Sequence, residues 1–163
     1  MMKCAVFAVL GLLISSALWA NEVISGKVIN VVDGNTLELL ANDNETYKIL
    51  LYGIDCPEIE QEFGEKSKRF LEKLILNKNI DVEIQGKDRM GHRLGIILIN
   101  GEDSRKMLLE EGLAWTSERQ PVQELEIIKE KAREKGRGLW KEQDPIPPWT
   151  FRRQQTLTQF KSS

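Results

Sequence analysis

One apolar stretch, residues 47–54, constrains the fold more than any other part of the chain. Its β-branched and aromatic composition predicts a strand that is buried on both faces. It leads without a spacer into Asp55, Cys56, Pro57 and Glu58. Because Pro57 fixes its own φ and restricts Cys56, the two acids lie on a stiff corner. Paired carboxylates on such a corner suit a hard cation or acid–base chemistry, whereas the structural alternative is a solvated turn.

The N-terminal segment, residues 1–20, is typical of a secretory signal peptide. Lys3 is its only charge, and the apolar run over residues 4–18 is short for a membrane span. We expect cleavage after Ala20, with cleavage after Ala17 as the alternative. The sequence therefore predicts an exported protein, periplasmic or secreted, that retains no membrane segment; a retained anchor is the other interpretation.

Composition limits the function classes that fit the remaining chain. Removing 20 of the 163 residues leaves 143, which predicts one domain over residues 21–163. Without Lys3, the 23 basic residues become 22 against 25 acidic ones, a net charge of −3. Proteins that hold nucleic acid by bulk electrostatics are usually basic, so any such contact needs a local patch. Cys56 is the one cysteine left, which excludes an intramolecular disulfide and favours a packed thiol.

Apolar periodicity gives the order of the secondary structure. Alternating or apolar runs predict strands from residue 23, over 36–40 and 47–54, around 80–84, and over 94–99. Helical spacing predicts helices over about 63–77, 103–112 and 122–135, followed by a tail from about residue 141. This order predicts an α+β fold that is mainly a β-barrel, a five-stranded OB-fold-like Greek-key barrel with about three helices.

Several spaced motifs make the prediction more specific. They are VVDGNT, YGIDCPE, DRMGHRLG, EGLAW, GRGLW and DPIPPWTFRR, in this order. The series resembles the thermonuclease family, the secreted calcium-dependent nucleases related to staphylococcal nuclease, and the tail is similar to that of exported Gram-negative members. The resemblance covers essentially all of residues 21–163. It implies the barrel fold and hydrolysis of phosphodiester bonds in DNA and RNA.

The resemblance also assigns roles at the acidic corner. Glu58 matches the glutamate that acts on the attacking water, and Asp55 matches one calcium-binding aspartate. The backbone carbonyl of Cys56 would be a further Ca²⁺ ligand. The second calcium aspartate of the family falls on Asn35, whose amide oxygen can still reach a cation but brings no charge. We therefore expect Ca²⁺ to bind weakly.

Both phosphate-gripping arginines of the family are replaced. The first falls on Leu50, which carries no charge and no donor, and the second falls on His92. Arginines in such roles contribute on the order of 10³ to 10⁵ in rate in phosphoryl-transfer enzymes. A neutral imidazole can donate one hydrogen bond and is a cation only below about pH 6.5. His92 is therefore a partial substitute in any catalytic role.

Other basic side chains are candidates for the missing contacts. Lys48 shares a strand face with position 50, and Lys87 and Arg89 precede the hairpin glycine. Their alternative role is a solvated charge.

The hairpin position that carries a stacking tyrosine in the family is Met90, and WTSERQ, where further stacking tyrosines lie in the family, contains none. Because stacking on an aromatic ring contributes about 1 to 3 kcal/mol per base, substrate capture should be weakened.

Three hypotheses follow. The first is an exported thermonuclease-fold protein with little or no hydrolysis that acts by binding, with single-stranded DNA or RNA as the candidate partner. The second is an active atypical nuclease that uses Glu58, Asp55 and His92 with Lys48. The third is a structural or interaction module. A single domain of this size is expected to be a monomer.

Overall fold

The structure, a computed structural model, describes residues 22–161. The predicted signal peptide over residues 1–20 lies outside these residues. Four α-helices and eight strands follow one another in the order β1 (Val23–Val31), β2 (Thr36–Ala41), β3 (Thr46–Leu51), β4 (Ile54–Asp55), α1 (Gly64–Ile75), β5 (Asn79–Lys87), β6 (Arg93–Ile99), β7 (Glu102–Asp103), α2 (Ser104–Glu110), β8 (Trp115–Thr116), α3 (Gln123–Glu134) and α4 (Pro148–Lys161). A short 3₁₀ helix, Gly138–Lys141, lies between α3 and α4.

Five strands close into a barrel. The sheet order β3-β2-β1-β5-β6 has antiparallel neighbours throughout, and a parallel pairing of β3 with β6 joins its ends. The parallel register places Leu50 beside Leu94. Closure leaves neither barrel edge unpaired along this stretch, so the barrel needs no disulfide to hold its strands together. The predicted five-stranded α+β barrel is confirmed.

Side chains alternate along each strand between the inside and the outside of the barrel, and the inward ones fill it. Inward residues of the strands, together with one face of each of α1, α2 and α3, form the main core. Its largest fully buried members are Leu37, Leu39, Ile49, Leu51, Leu71, Ile75, Ile97, Leu108, Leu109 and Leu125. None of the helices in residues 22–161 is long and apolar enough to cross a membrane.

The predicted strand over residues 47–54 is wrong in one respect, because it is broken. β3 ends at Leu51, the chain turns at Tyr52 and Gly53, and β4 then begins at Ile54. Gly53 has a φ of +80°, a conformation that glycine adopts without steric cost. The break turns the acidic corner out of the barrel wall, so that Asp55 pairs with Trp115 in the small β4–β8 sheet.

The tail from residue 141 contains a helix that periodicity did not indicate. Pro147 precedes this helix, and Pro148 is its first residue, where proline's missing N–H costs nothing. Trp149 packs edge-to-face against Trp115, with the ring centroids 5.7 Å apart. The rest of α4 is largely exposed and lacks a strong apolar face. Tertiary contacts at its N-terminal end therefore anchor this helix.

Candidate functional site

The acidic corner lines a cavity of about 530 Å³ at the mouth of the barrel. Six of the site residues predicted from sequence lie in its wall: Asn35, Asp55, Cys56, Glu58, Lys87 and Arg89. Leu50 lies there too, whereas Lys48 and His92 do not contribute to the lining. The structure thus brings together residues from β2, β3, the corner and the β5–β6 hairpin.

The turn before β2 fixes the corner from one side. The Asp33 carboxylate accepts a hydrogen bond from the backbone N–H of Asn35 at 2.9 Å. The side-chain oxygen of Asn35 in turn accepts one from the backbone N–H of Cys56 at 3.1 Å. A Cβ on Gly34 would lie 2.7 Å from that of Cys56, so only glycine permits this approach. Asn35 is therefore a structural tie to the corner in this arrangement.

Helix α1 fixes the corner from the other side. The backbone N–H of Glu58 donates to the side chain of Gln61 at 2.9 Å, and the Gln61 backbone N–H donates back to the Glu58 carbonyl at 2.9 Å. A Cβ at Gly64 would lie 1.9 Å from that same carbonyl. The Glu58 backbone is thus held against the start of α1, which leaves its side chain to face the cavity.

Arg152 of α4 engages both carboxylates of the corner. Its Nη1 donates to Glu58 Oε1 at 2.6 Å and to Asp55 Oδ1 at 3.2 Å, and its Nη2 donates to Asp55 Oδ2 at 2.7 Å. The contact with Asp55 is the two-pronged fork that guanidinium makes with carboxylate. These residues are separated by 97 and 94 positions in the chain, so tertiary folding alone brings them together.

Burial and this ion pair set the protonation of the site. Burial raises the pKa of the Asp55 carboxyl above its ordinary value, and Arg152 opposes that shift. The hydrogen bond to Asp55 is the main cause that raises the pKa of Arg152, with Glu58 adding to it. The guanidinium is therefore permanently charged at this corner.

Cys56 is not a nucleophile here. Its side chain is 2% exposed, and burial raises the pKa of the thiol well above its ordinary value. The predicted packed thiol is confirmed.

Three further cations border the cavity without a partner. Lys87, Arg89 and Arg119 are exposed, and none of their side chains forms a hydrogen bond or ion pair with another residue of the described chain. Three acids of the same cavity have side-chain partners, Asp55 and Glu58 with Arg152, and Asp88 with His92. Asp33, the fourth acid in the wall, accepts the backbone N–H of Asn35 and forms no ion pair within the described residues. Among the charged groups of the cavity without a side-chain partner, cations therefore outnumber acids.

His92 is a partner of Asp88. Its Nδ1 lies 2.9 Å from Asp88 Oδ2, and its backbone N–H donates to Asp88 Oδ1 at 2.9 Å. Burial alone would raise the pKa of Asp88, but these bonds and one from the Met90 N–H lower it overall. The imidazole is thus bonded to Asp88 within the β5–β6 hairpin. The catalytic role of His92 stays a prediction. The phosphate contact of the exposed Lys48 side chain also stays a prediction.

Two of the three predicted calcium ligands, Asp55 and Asn35, are bonded to other groups in this arrangement. Both Asp55 oxygens accept hydrogen bonds from Arg152, and the Asn35 oxygen is used by the Cys56 N–H. Ca²⁺ takes about six to eight oxygen ligands. Within residues 22–161, no group of three or more His, Cys, Asp or Glu side chains is placed to hold a metal. A guanidinium balances these carboxylates, and the ligand roles of Asn35, Asp55 and Cys56 stay predictions.

Sequence reasoning left two cavity residues out. Arg119 lies in the segment between β8 and α3, and Arg152 lies in the tail, within α4. The one available signal was the pair Arg152-Arg153, which follows the Pro-Pro-Trp sequence after two residues, and it does not tell which carboxylates the first arginine meets.

Comparison with known proteins agrees with this geometry. The family model described as staphylococcal nuclease homologue matches residues 48–142. An uncharacterized endonuclease of Haemophilus influenzae is 34% identical over 80% of this chain and 74% of its own length. One of Escherichia coli O157:H7 is 34% identical over 79% and 85%. The micrococcal nuclease of Shigella flexneri is 30% identical over 91% of each chain. The chain belongs to the staphylococcal nuclease family.

Proposed function

We propose that this protein binds single-stranded nucleic acid through its phosphates at the barrel mouth and hydrolyses it slowly or not at all. The observation that carries the proposal is which charged side chains of the cavity have partners and which do not. Asp55 and Glu58 are both held by Arg152, while the side chains of Lys87, Arg89 and Arg119 have no partner among residues 22–161. The acids that would drive chemistry are engaged, and the cations that would meet phosphate are free.

Slow hydrolysis follows from what faces the cavity. Leu50 lies in the wall and offers neither charge nor hydrogen bond to a phosphate. Position 92 holds an imidazole that is bonded to Asp88. Both positions are arginines in the family pattern, and electrostatic stabilisation of the transition state is usually the largest catalytic contribution. A site without these contacts can hold a phosphodiester without speeding its cleavage much.

The three unpaired cations predict that the affinity for a single-stranded oligonucleotide falls as the salt concentration rises. Three phosphate contacts on a single strand give a slope of about −2 for log K against log salt. Fluorescence anisotropy of a labelled single-stranded oligonucleotide should show this slope. A variant with Lys87, Arg89 and Arg119 all changed to glutamine should lose most of this slope. A control variant with three exposed cations at the C-terminal end of α3 changed to glutamine, Lys131, Arg133 and Lys135, should keep it. Equal slopes in the two variants would contradict the proposed surface.

A weak nuclease is the second candidate, because Asp55 and Glu58 face the same cavity as the free cations. In this case Glu58 acts on the attacking water. Glu58→Gln keeps the size of the side chain and removes the base, so it should reduce any cleavage by about 10² or more. The measurement is cleavage of a labelled oligonucleotide by wild type and variant purified in parallel. Equal cleavage by both would attribute the activity to another protein in the preparation.

Calcium and export complete the proposal. Because Arg152 already balances the two carboxylates, we expect Ca²⁺ and EDTA to leave oligonucleotide affinity nearly unchanged. We also propose that residues 1–20 direct export, so that the protein meets nucleic acid outside the cytoplasm.

A further inference from the structure

Arg152 has one donor edge that the two carboxylates do not use. Its bonds to Asp55 and Glu58 involve Nη1 and Nη2, and Nε forms none within the described chain. Both hydrogens of Nη1 are therefore occupied, while the edge made by Nε–H and the second hydrogen of Nη2 remains open. We infer that Arg152 receives a phosphate of the bound strand through this edge, so that α4 supplies a phosphate contact that β3 and the hairpin lack.

The open edge has the geometry of a phosphate receptor. A guanidinium presents two parallel N–H groups on this edge, and they match two oxygens of a phosphate. The Arg152 side chain is 49% exposed, so the edge can be reached from solvent. Because Asp55 and Glu58 already hold the other donors, the group is fixed in place before a ligand arrives. Little conformational entropy remains to be lost when phosphate binds.

The position of Arg152 places this edge on the path of a strand. A second cavity, of about 830 Å³, lies between α4 and the β5–β6 hairpin. Arg89, Arg119 and Arg152 line both cavities. A strand that passes from one cavity to the other would meet all three guanidinium groups, which is the arrangement that successive phosphates require.

The start of α4 is built to hold Arg152 there. Trp149 lies edge-to-face on Trp115, with centroids 5.7 Å apart. The side-chain amide of Gln61 donates to the Ile146 carbonyl at 2.9 Å, which ties the segment before α4 to the corner beside Glu58. Arg152 follows Trp149 by three positions, close to one helical turn, so it projects from an anchored end of the helix.

The inference rests on the proposed binding function for its ligand, and the test separates the two. In the full protein, Arg152→Ala should weaken binding of a labelled single-stranded oligonucleotide by about tenfold, because charge-assisted bonds are lost. Arg153→Ala, which removes an equal charge one position away, should weaken it much less. Arg152→Lys should fall between, because it keeps the charge without the fork. Equal losses in the two alanine variants, or tighter binding by Arg152→Ala, would overturn the inference.

A second readout does not need the oligonucleotide. The Nε–H resonance of Arg152, identified by its absence in Arg152→Lys, should shift on titration with inorganic phosphate, and that of Arg153 should shift less. If phosphate moves the Arg152 resonance but the wild-type protein binds no oligonucleotide, the proposed function fails and the phosphate contact stands. A resonance that does not respond to phosphate would overturn the contact.

Discussion

Changing Leu50 and His92 together to arginine is expected to raise oligonucleotide hydrolysis by about 10³-fold or more. A single well-placed arginine contributes on the order of 10³ to 10⁵ in phosphoryl transfer, and the double variant restores two. Leu50 already lies in the cavity wall, so a longer side chain there extends into the cavity. The measurement is the initial rate of cleavage of a labelled single strand.

The double change to glutamine is the matched control, since it adds polar atoms of similar reach without charge. It should leave the rate near that of wild type. Adding Glu58→Gln to the double arginine variant should abolish the gain, because the base is then missing. An arginine variant that folds normally by circular dichroism and still cleaves at the wild-type rate would show that the slow step lies elsewhere.

The largest expected effect on stability is at Arg105. This side chain is 6% exposed and forms an ion pair with Asp103, which also caps α2. Its Nη1 donates to the Tyr52 carbonyl at 2.9 Å, directly in the turn that separates β3 from β4. Arg105→Ala leaves the Asp103 carboxylate buried and unpaired, which typically costs about 3 to 5 kcal/mol.

The measurement is the free energy of unfolding of wild type and Arg105→Ala, obtained from the midpoint and the slope of their urea unfolding curves. Lys106→Ala is the adjacent control, since Lys106 pairs with Glu124 on the surface and such pairs contribute about 0 to 1 kcal/mol. The loss at Arg105 should also loosen the turn before Asp55. A loss below about 1 kcal/mol would mean that water replaces the arginine at no great cost.

The barrel could be predicted because its signals are local. Apolar residues alternate with polar ones in β1, β2, β5 and β6, because one face of each strand is buried. Apolar residues recur at helical spacing in α1 to α3 because one face of each helix is buried. The break in β3 could not be predicted from the apolar run, because the turn at Tyr52 is held by Arg105 from 53 positions away. Gly53 was the one local sign of that turn.

The candidate site was predictable in part, because several of its residues lie in sequence motifs. Motif order placed Asp55, Glu58 and Asn35 at one cavity, and the hairpin brought Lys87 and Arg89 to its rim. α4 escaped prediction because it is polar and exposed, so periodicity carries no signal there. Arg152 could not be connected with Asp55 from sequence, since long-range contacts, the packing of Trp149 on Trp115 and the bond from Gln61 to the Ile146 carbonyl, hold the helix at the corner.

The measurement that tests the central claim most directly follows binding and cleavage in one sample. A labelled single strand is mixed with an excess of the wild-type protein at low salt, anisotropy is recorded, and the same sample is quenched and run on a denaturing gel. The account predicts a raised anisotropy with the strand still intact. An unchanged anisotropy, or a strand that is cut as soon as it is bound, would contradict it.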